Sequence, residues 1–62
     1  MTTITSVTLG SVGVAVLERD DIGRHTVTAW AANGELAVTE TYGRYEALKA
    51  ARLFSVMSEA VR

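Results

Sequence analysis

The sequence predicts an α+β fold, in which a three-stranded antiparallel meander is followed by one C-terminal helix, a β(3)-α unit. Three observations carry this expectation. Residues 3–42 consist largely of short runs rich in valine and threonine, the residue types that suit a pleated, half-buried surface. Asn33-Gly34 stands between two such runs and is the strongest local signal for a hairpin. From Arg44 onward the apolar period lengthens from two to about 3.6 residues, and strong helix formers dominate. With 62 residues the chain has room for one domain, 1–62.

The first strand region lies within 3–18. Ile4 to Leu9 and Val12 to Leu17 both read as strand, and Gly10 between them serves as a bulge or a turn, which leaves one bent strand or two open. Asp20-Asp21-Ile22-Gly23 has the composition of a turn. The next strands fall within 25–32 and 35–42, joined by Asn33-Gly34 in a two-residue type I′ turn, which needs positive φ at both residues. That loop length sets the register: Ala31 opposite Leu36, Ala29 opposite Val38, His25 opposite Tyr42. One face then carries Val27, Ala29, Ala31, Leu36 and Val38 and is expected to be the core face. The other carries Thr26, Thr28, Trp30, Ala37, Thr39 and Thr41, polar apart from the tryptophan.

The helix is expected over 44–61, with Gly43 at its N-cap and Glu46 reaching back to the Gly43 N–H as in a capping box. At ~100° per residue, Ala50, Phe54, Met57 and Val61 form one apolar stripe, and Leu53, Val56 and Ala60 form a second beside it. Arg44, Arg52, Ser55, Ser58, Glu59 and Arg62 fall opposite. The apolar arc is roughly 200° wide, about twice what covering one sheet requires. The expected core is Val12, Val14, Val16, Val27, Ala29, Leu36, Val38, Leu48, Phe54, Met57 and Val61.

A chain this short buries only ~60% of its unfolded surface, so a lone core is marginal. The absence of cysteine removes disulfides and thiolate metal sites as remedies. A second copy docked on Leu53, Val56, Met57 and Ala60 is the simplest remaining one, which makes a homodimer the expected state. Net charge is −1, which supplies no general attraction to nucleic acid or anionic lipid. No basic leader or membrane-length apolar run is present, so a cytoplasmic protein without membrane contact is expected.

The chemistry-bearing residues are few. His25 lies at a strand end beside Tyr42, and no serine sits in a nucleophile motif, so no catalytic residue is expected. Glu18, Asp20, Asp21 and His25 match no metal-loop spacing and read as a solvated acidic turn, and the five glycines are dispersed, so neither metal nor cofactor is expected. Two function classes remain: a non-enzymatic interaction or regulatory module with a protein partner, and a small DNA- or RNA-binding regulator. The second would read through the open sheet face with Thr28, Trp30, Thr39 and Arg24. Glu18, Asp20, Asp21, Glu35 and Glu40 interrupt any basic stripe, which favours the first.

Three segments, Ala31-Ala32-Asn33-Gly34-Glu35, Thr39-Glu40-Thr41-Tyr42 and Ser55-Val56, give residues 25–60 a further feature. Together they resemble the YegP-like family of small bacterial and archaeal proteins, with departures at Gly43-Arg44-Tyr45 and Arg52-Leu53-Phe54. The resemblance implies a β(3)-α unit that works in pairs, two units sharing one sheet and exchanging C-terminal helices. It implies no activity.

Overall fold

Four strands, not three, precede the helix. The structure, a computed structural model covering Met1–Arg62, places β1 at Thr3–Leu9, β2 at Gly13–Arg19, β3 at His25–Ala31, β4 at Leu36–Tyr42 and α1 at Ala47–Val61. The strands form one antiparallel sheet in the order β1-β2-β3-β4. The β(3)-α expectation is therefore corrected to β(4)-α. Residues 10–12 make a complete reversal, closed by a hydrogen bond from the Gly10 N–H to the Gly13 carbonyl, so the valine-rich N-terminal region is two strands. The helix packs across the sheet of the same chain, mainly over β2 and β3, and covers one of its faces.

The other two reversals are specified locally. At the β2–β3 turn, Asp20 accepts hydrogen bonds from the backbone N–H groups of Ile22 and Arg24, and Gly23 takes φ +88°. Such a side-chain-closed turn is what aspartate offers and apolar residues cannot. The β3–β4 hairpin departs from the type I′ expectation. Only Gly34 is left-handed, at φ +87°; Asn33 is not. The Gly34 N–H donates to the Ala31 carbonyl, and the Ala31 N–H donates to the Glu35 carbonyl, so the loop is the three residues 32–34. This is the turn-plus-left-handed-glycine loop that ranks next after the two-residue turns.

The extra loop residue sets Trp30 opposite Leu36. A bulge at Ala37 then restores the expected pairs Ala29–Val38 and His25–Tyr42. A bulge adds one residue to one strand and so reverses the facing of everything beyond it. Leu36 is thereby turned off the expected core face. A second irregularity, at Thr5 in β1, sets Ile4 opposite Glu18 and Ser6 opposite Leu17, and reverses Ile4 in the same way.

The side of the sheet that meets the helix follows from contacts. The Thr8 and Ser58 hydroxyls lie 2.8 Å apart, and Gly13 lies against the Val61 side chain. Directly paired residues share a face, so the helix side carries Thr8, Ala15, Leu17, Val27, Ala29 and Val38. Ala15, Val27 and Ala29 are the most deeply buried of these. Val14 and Val16, expected in the helix-covered core, occupy the other face. Val12, Leu36 and Leu48, also expected there, are exposed. The alanines explain the change: small side chains in the two central strands let the helix approach closely, with Ala50 fully buried at the contact.

The helix buries Ala50, Ser58 and Val61 and half-buries Leu53, Phe54 and Met57, which gives the spacing i, i+3, i+4, i+7, i+8, i+11. Ser58, expected on the outer side, belongs to the inner series, and its hydroxyl finds Thr8 there. The helix begins at Ala47, not at 44, because Gly43–Glu46 form a separate hydrogen-bonded turn, with the Glu46 N–H donating to the Gly43 carbonyl. The expected reach-back does form: Glu46 Oε1 accepts the Gly43 N–H at 3.0 Å, and Lys49 donates to Oε2 at 3.1 Å.

The Gly43 N–H, then the Lys49 ammonium, hold the Glu46 carboxyl below its ordinary value. In the unfolded chain this group takes up its proton at higher pH, so its contribution is complete above about pH 4.3 and is lost as pH falls through the folded value. Glu46→Gln keeps an acceptor but removes the charge. We expect its thermal midpoint to lie below that of the parent at neutral pH, and the gap to narrow on acidification below the ordinary carboxylate range. Circular dichroism melts at both pH values test this; a gap that stays constant would remove Glu46 from the acid limb.

Candidate interaction surface

The sheet face turned away from the helix is the largest feature left unpartnered within the chain. Its side chains follow from the register. Leu9, Val14, Trp30 and Leu36 form one row across all four strands; Val7, Val16, Thr28 and Thr39 form a second; Ile4, Glu18, Thr26 and Thr41 form a third. Trp30 therefore stands between Val14 and Leu36 in its row, with Thr28 beside it on its own strand. The outer strands expose the most apolar surface: Leu9 is 79% exposed, Ile4 61%, Leu36 56% and Val7 48%. In the middle row the two central residues, Val16 and Thr28, are closed in by their neighbours and belong to the buried set.

No lysine or arginine stands in these rows, and Glu18 is their one charged member. The residues considered for nucleic-acid contact divide accordingly. Thr28 retains only 7% exposure, Trp30 is half-buried, and Thr39 is exposed on the edge strand. Arg24 lies in the turn at one end, and its Nε donates to Asp20 Oδ2 at 2.9 Å. A phosphate backbone is bound through lysines and arginines that replace its counterions, and this face presents none.

The helix residues expected at a dimer contact also divide. Leu53 and Met57 turn inward and are half-buried, while Val56 and Ala60 face outward and are exposed. The helix exterior is therefore a narrow apolar strip beside Arg52, Ser55 and Glu59. The width inferred from the helical wheel is spent mostly against the chain's own sheet.

The acidic and histidine residues do not converge. Glu18 faces the open side, whereas His25 pairs with Arg19 and Tyr42 on the helix side. Asp21 pairs with the ammonium of Met1, and Asp20 is engaged by Arg24. Desolvation raises the Asp20 carboxyl, but the hydrogen bonds and charge of Arg24, with the Ile22 N–H, outweigh it and hold the group below its ordinary value. No three such side chains are grouped so that they could hold a metal ion. The His25 Nδ1 atom is enclosed without a hydrogen-bond partner. A shallow cleft of about 710 Å³ at this end is lined by Thr3, Arg19, Asp20, Asp21, Ile22, Gly23 and Arg44. Its lining holds two arginines and two aspartates, so it concentrates no net charge for a ligand.

Sequence reasoning missed Ile4, Val7, Leu9 and Leu36 as surface-forming residues. Strict alternation in β1 would have found Val7 and Leu9 on one face; the two bulges that add Ile4 and Leu36 leave no composition signal. The fold contains no helix long and apolar enough to cross a membrane. No family model, no curated protein and no solved structure matches this chain.

Proposed function

We propose that the protein is a non-enzymatic interaction module that works as a homodimer. The observation that supports this reading is the open sheet face, where seven of the twelve positions are apolar and only Glu18 is charged. Patches of this kind on small soluble domains mark association surfaces, and few of the chain's residues are buried, nine of 62. A second copy would supply the burial that a domain of this length lacks by itself. Oligomeric state tests the reading directly. Light scattering coupled to size exclusion should give twice the 6.6 kDa chain mass at high concentration. A 6.6 kDa species throughout a micromolar-to-millimolar series would sink it.

A further inference from the structure

We infer that the second copy docks on the open sheet face, stacked face to face about a two-fold axis parallel to the strands. This rests on the homodimer reading and specifies where and in what orientation the copy sits. Stacked sheets lie about 10 Å apart with strand directions within about 30° of each other. An axis along the strands lays β1 over β4 of the second copy and β2 over its β3, and sets each row on the same row.

The pairing suits the residues. Leu9 comes over Leu36 of the second copy and Val14 over its Trp30, so the most apolar row packs on itself. Glu18 comes over a threonine, Thr26, at the opposite end. Turning the axis across the strands would instead set Glu18 on Val14 and the Leu9 row on the Ile4 row. That arrangement buries a carboxylate against an apolar side chain without a partner, which is costly. Both bulges support the same face, since each turns a large aliphatic residue, Ile4 or Leu36, onto it from the helix side.

The size of the face sets the strength. Four strands about 4.8 Å apart, with seven residues rising about 3.4 Å each, span roughly 19 Å by 24 Å, or ~450 Å² in flat projection. Side-chain relief raises the accessible area buried above that figure, toward the ~600 Å² per partner at the lower limit of stable complexes. An interface at that lower limit belongs to weak, reversible association, so the dimer should come apart on dilution.

The experiment uses the exposed edge positions, where a lysine leaves the monomer folded, as circular dichroism would verify. Leu9→Lys and Leu36→Lys should each raise the dimer dissociation constant at least tenfold, while Val56→Lys on the outer helix should leave it unchanged. Trp30, the only tryptophan, should shift its emission to the red on dilution with the same midpoint as the change in mass. The double variant Leu9→Lys/Leu36→Glu should recover dimer, because each lysine then meets a glutamate of the second copy. Within one chain these positions are three strand spacings apart, roughly 14 Å, and do not pair. A dimer that survives both lysine variants but is lost in Val56→Lys would overturn the inference and leave the homodimer reading standing. Absence of rescue in the double variant would overturn the orientation. A monomer at every concentration would overturn both readings.

Discussion

Gly10→Ala should be close to the limit of what this fold tolerates. A Cβ built at Gly10 falls 1.8 Å from the Val61 carbonyl oxygen, 2.4 Å from its carbon and 2.8 Å from the Arg62 nitrogen. All three are backbone atoms, so no rotamer change relieves the overlap. The turn or the helix end must move. Neither is free to do so, because the turn caps the helix: the Val12 N–H donates to the Val61 carbonyl at 3.0 Å, and Ser11 Oγ donates to the Arg62 carbonyl at 3.0 Å. The Val12 carbonyl in turn accepts the Ala32 N–H at 3.0 Å, so the same residue joins the β1–β2 turn to the helix end and to the β3–β4 hairpin. Displacing it strains three elements at once. Overpacking of this kind costs about 2–3 kcal/mol or more. A 62-residue domain has roughly 3–9 kcal/mol in total. The thermal midpoint should fall by roughly 10–20 °C. Ser11→Ala is the control: it removes one exposed hydrogen bond from the same turn and should cost no more than about 1 kcal/mol. A Gly10→Ala midpoint within a few degrees of the parent would show that turn and helix end are not locked together.

Ala15→Leu should act with similar force from the middle of the sheet. Ala15 is 0% exposed, its neighbour Ala29 on β3 is 2% exposed, and Ala50 on the helix is 0% exposed. Three alanines at the centre of the helix–sheet contact define how closely the two layers approach. Only one larger side chain, Val27, is as fully enclosed. Adding a branched four-carbon side chain there forces the layers apart and strips contacts from Val27 and Val61. The cost should be about 1–3 kcal/mol, occasionally more. Chemical denaturation should show a lower midpoint, and the near-ultraviolet signal of Trp30, on the far face of β3, should change little. Ala51→Leu, one residue from Ala50 but exposed, should stay within ±0.5 kcal/mol of the parent, as surface substitutions usually do. Equal effects at 15 and 51 would mean that the alanine layer does not set the spacing.

The elements themselves were legible in the order of residues. The acidic turn, the hairpin at Asn33-Gly34, the helix over the last residues and the Glu46 reach-back to Gly43 all follow from local chemistry, and each appears close to its expected place. The count of strands was not legible. Gly10-Ser11-Val12-Gly13 is compatible with a kinked strand or a reversal, and the contacts that anchor the reversal, to Val61 and Arg62, lie some fifty positions away in the chain. Facing was legible only where alternation runs unbroken. In β3 the expected parity holds, so Val27 and Ala29 are core. In β2 the bulkier valines point away from the helix and Ala15 points toward it, because close approach favours the small side chain. In β1 and β4 single-residue bulges reverse Ile4 and Leu36.

For the candidate surface the division is sharper. Length and the apolar width of the helix point to a second copy, and alternation in β3 sets Trp30 among threonines, whereas the register sets it between Val14 and Leu36. The structure moves the weight of exposed apolar surface from Val56 and Ala60 to the open sheet, where Leu9, Val14, Trp30 and Leu36 line up only through pairings between four strands. Residue order alone settled strand before helix, the positions of the acidic turn and the Asn33-Gly34 hairpin, and the Glu46 reach-back, because propensity, capping and turn chemistry act over a few residues. The tertiary structure alone decided which side of each strand meets the helix and which residues form a continuous surface. Those depend on register, and one inserted residue in an edge strand is enough to reverse it.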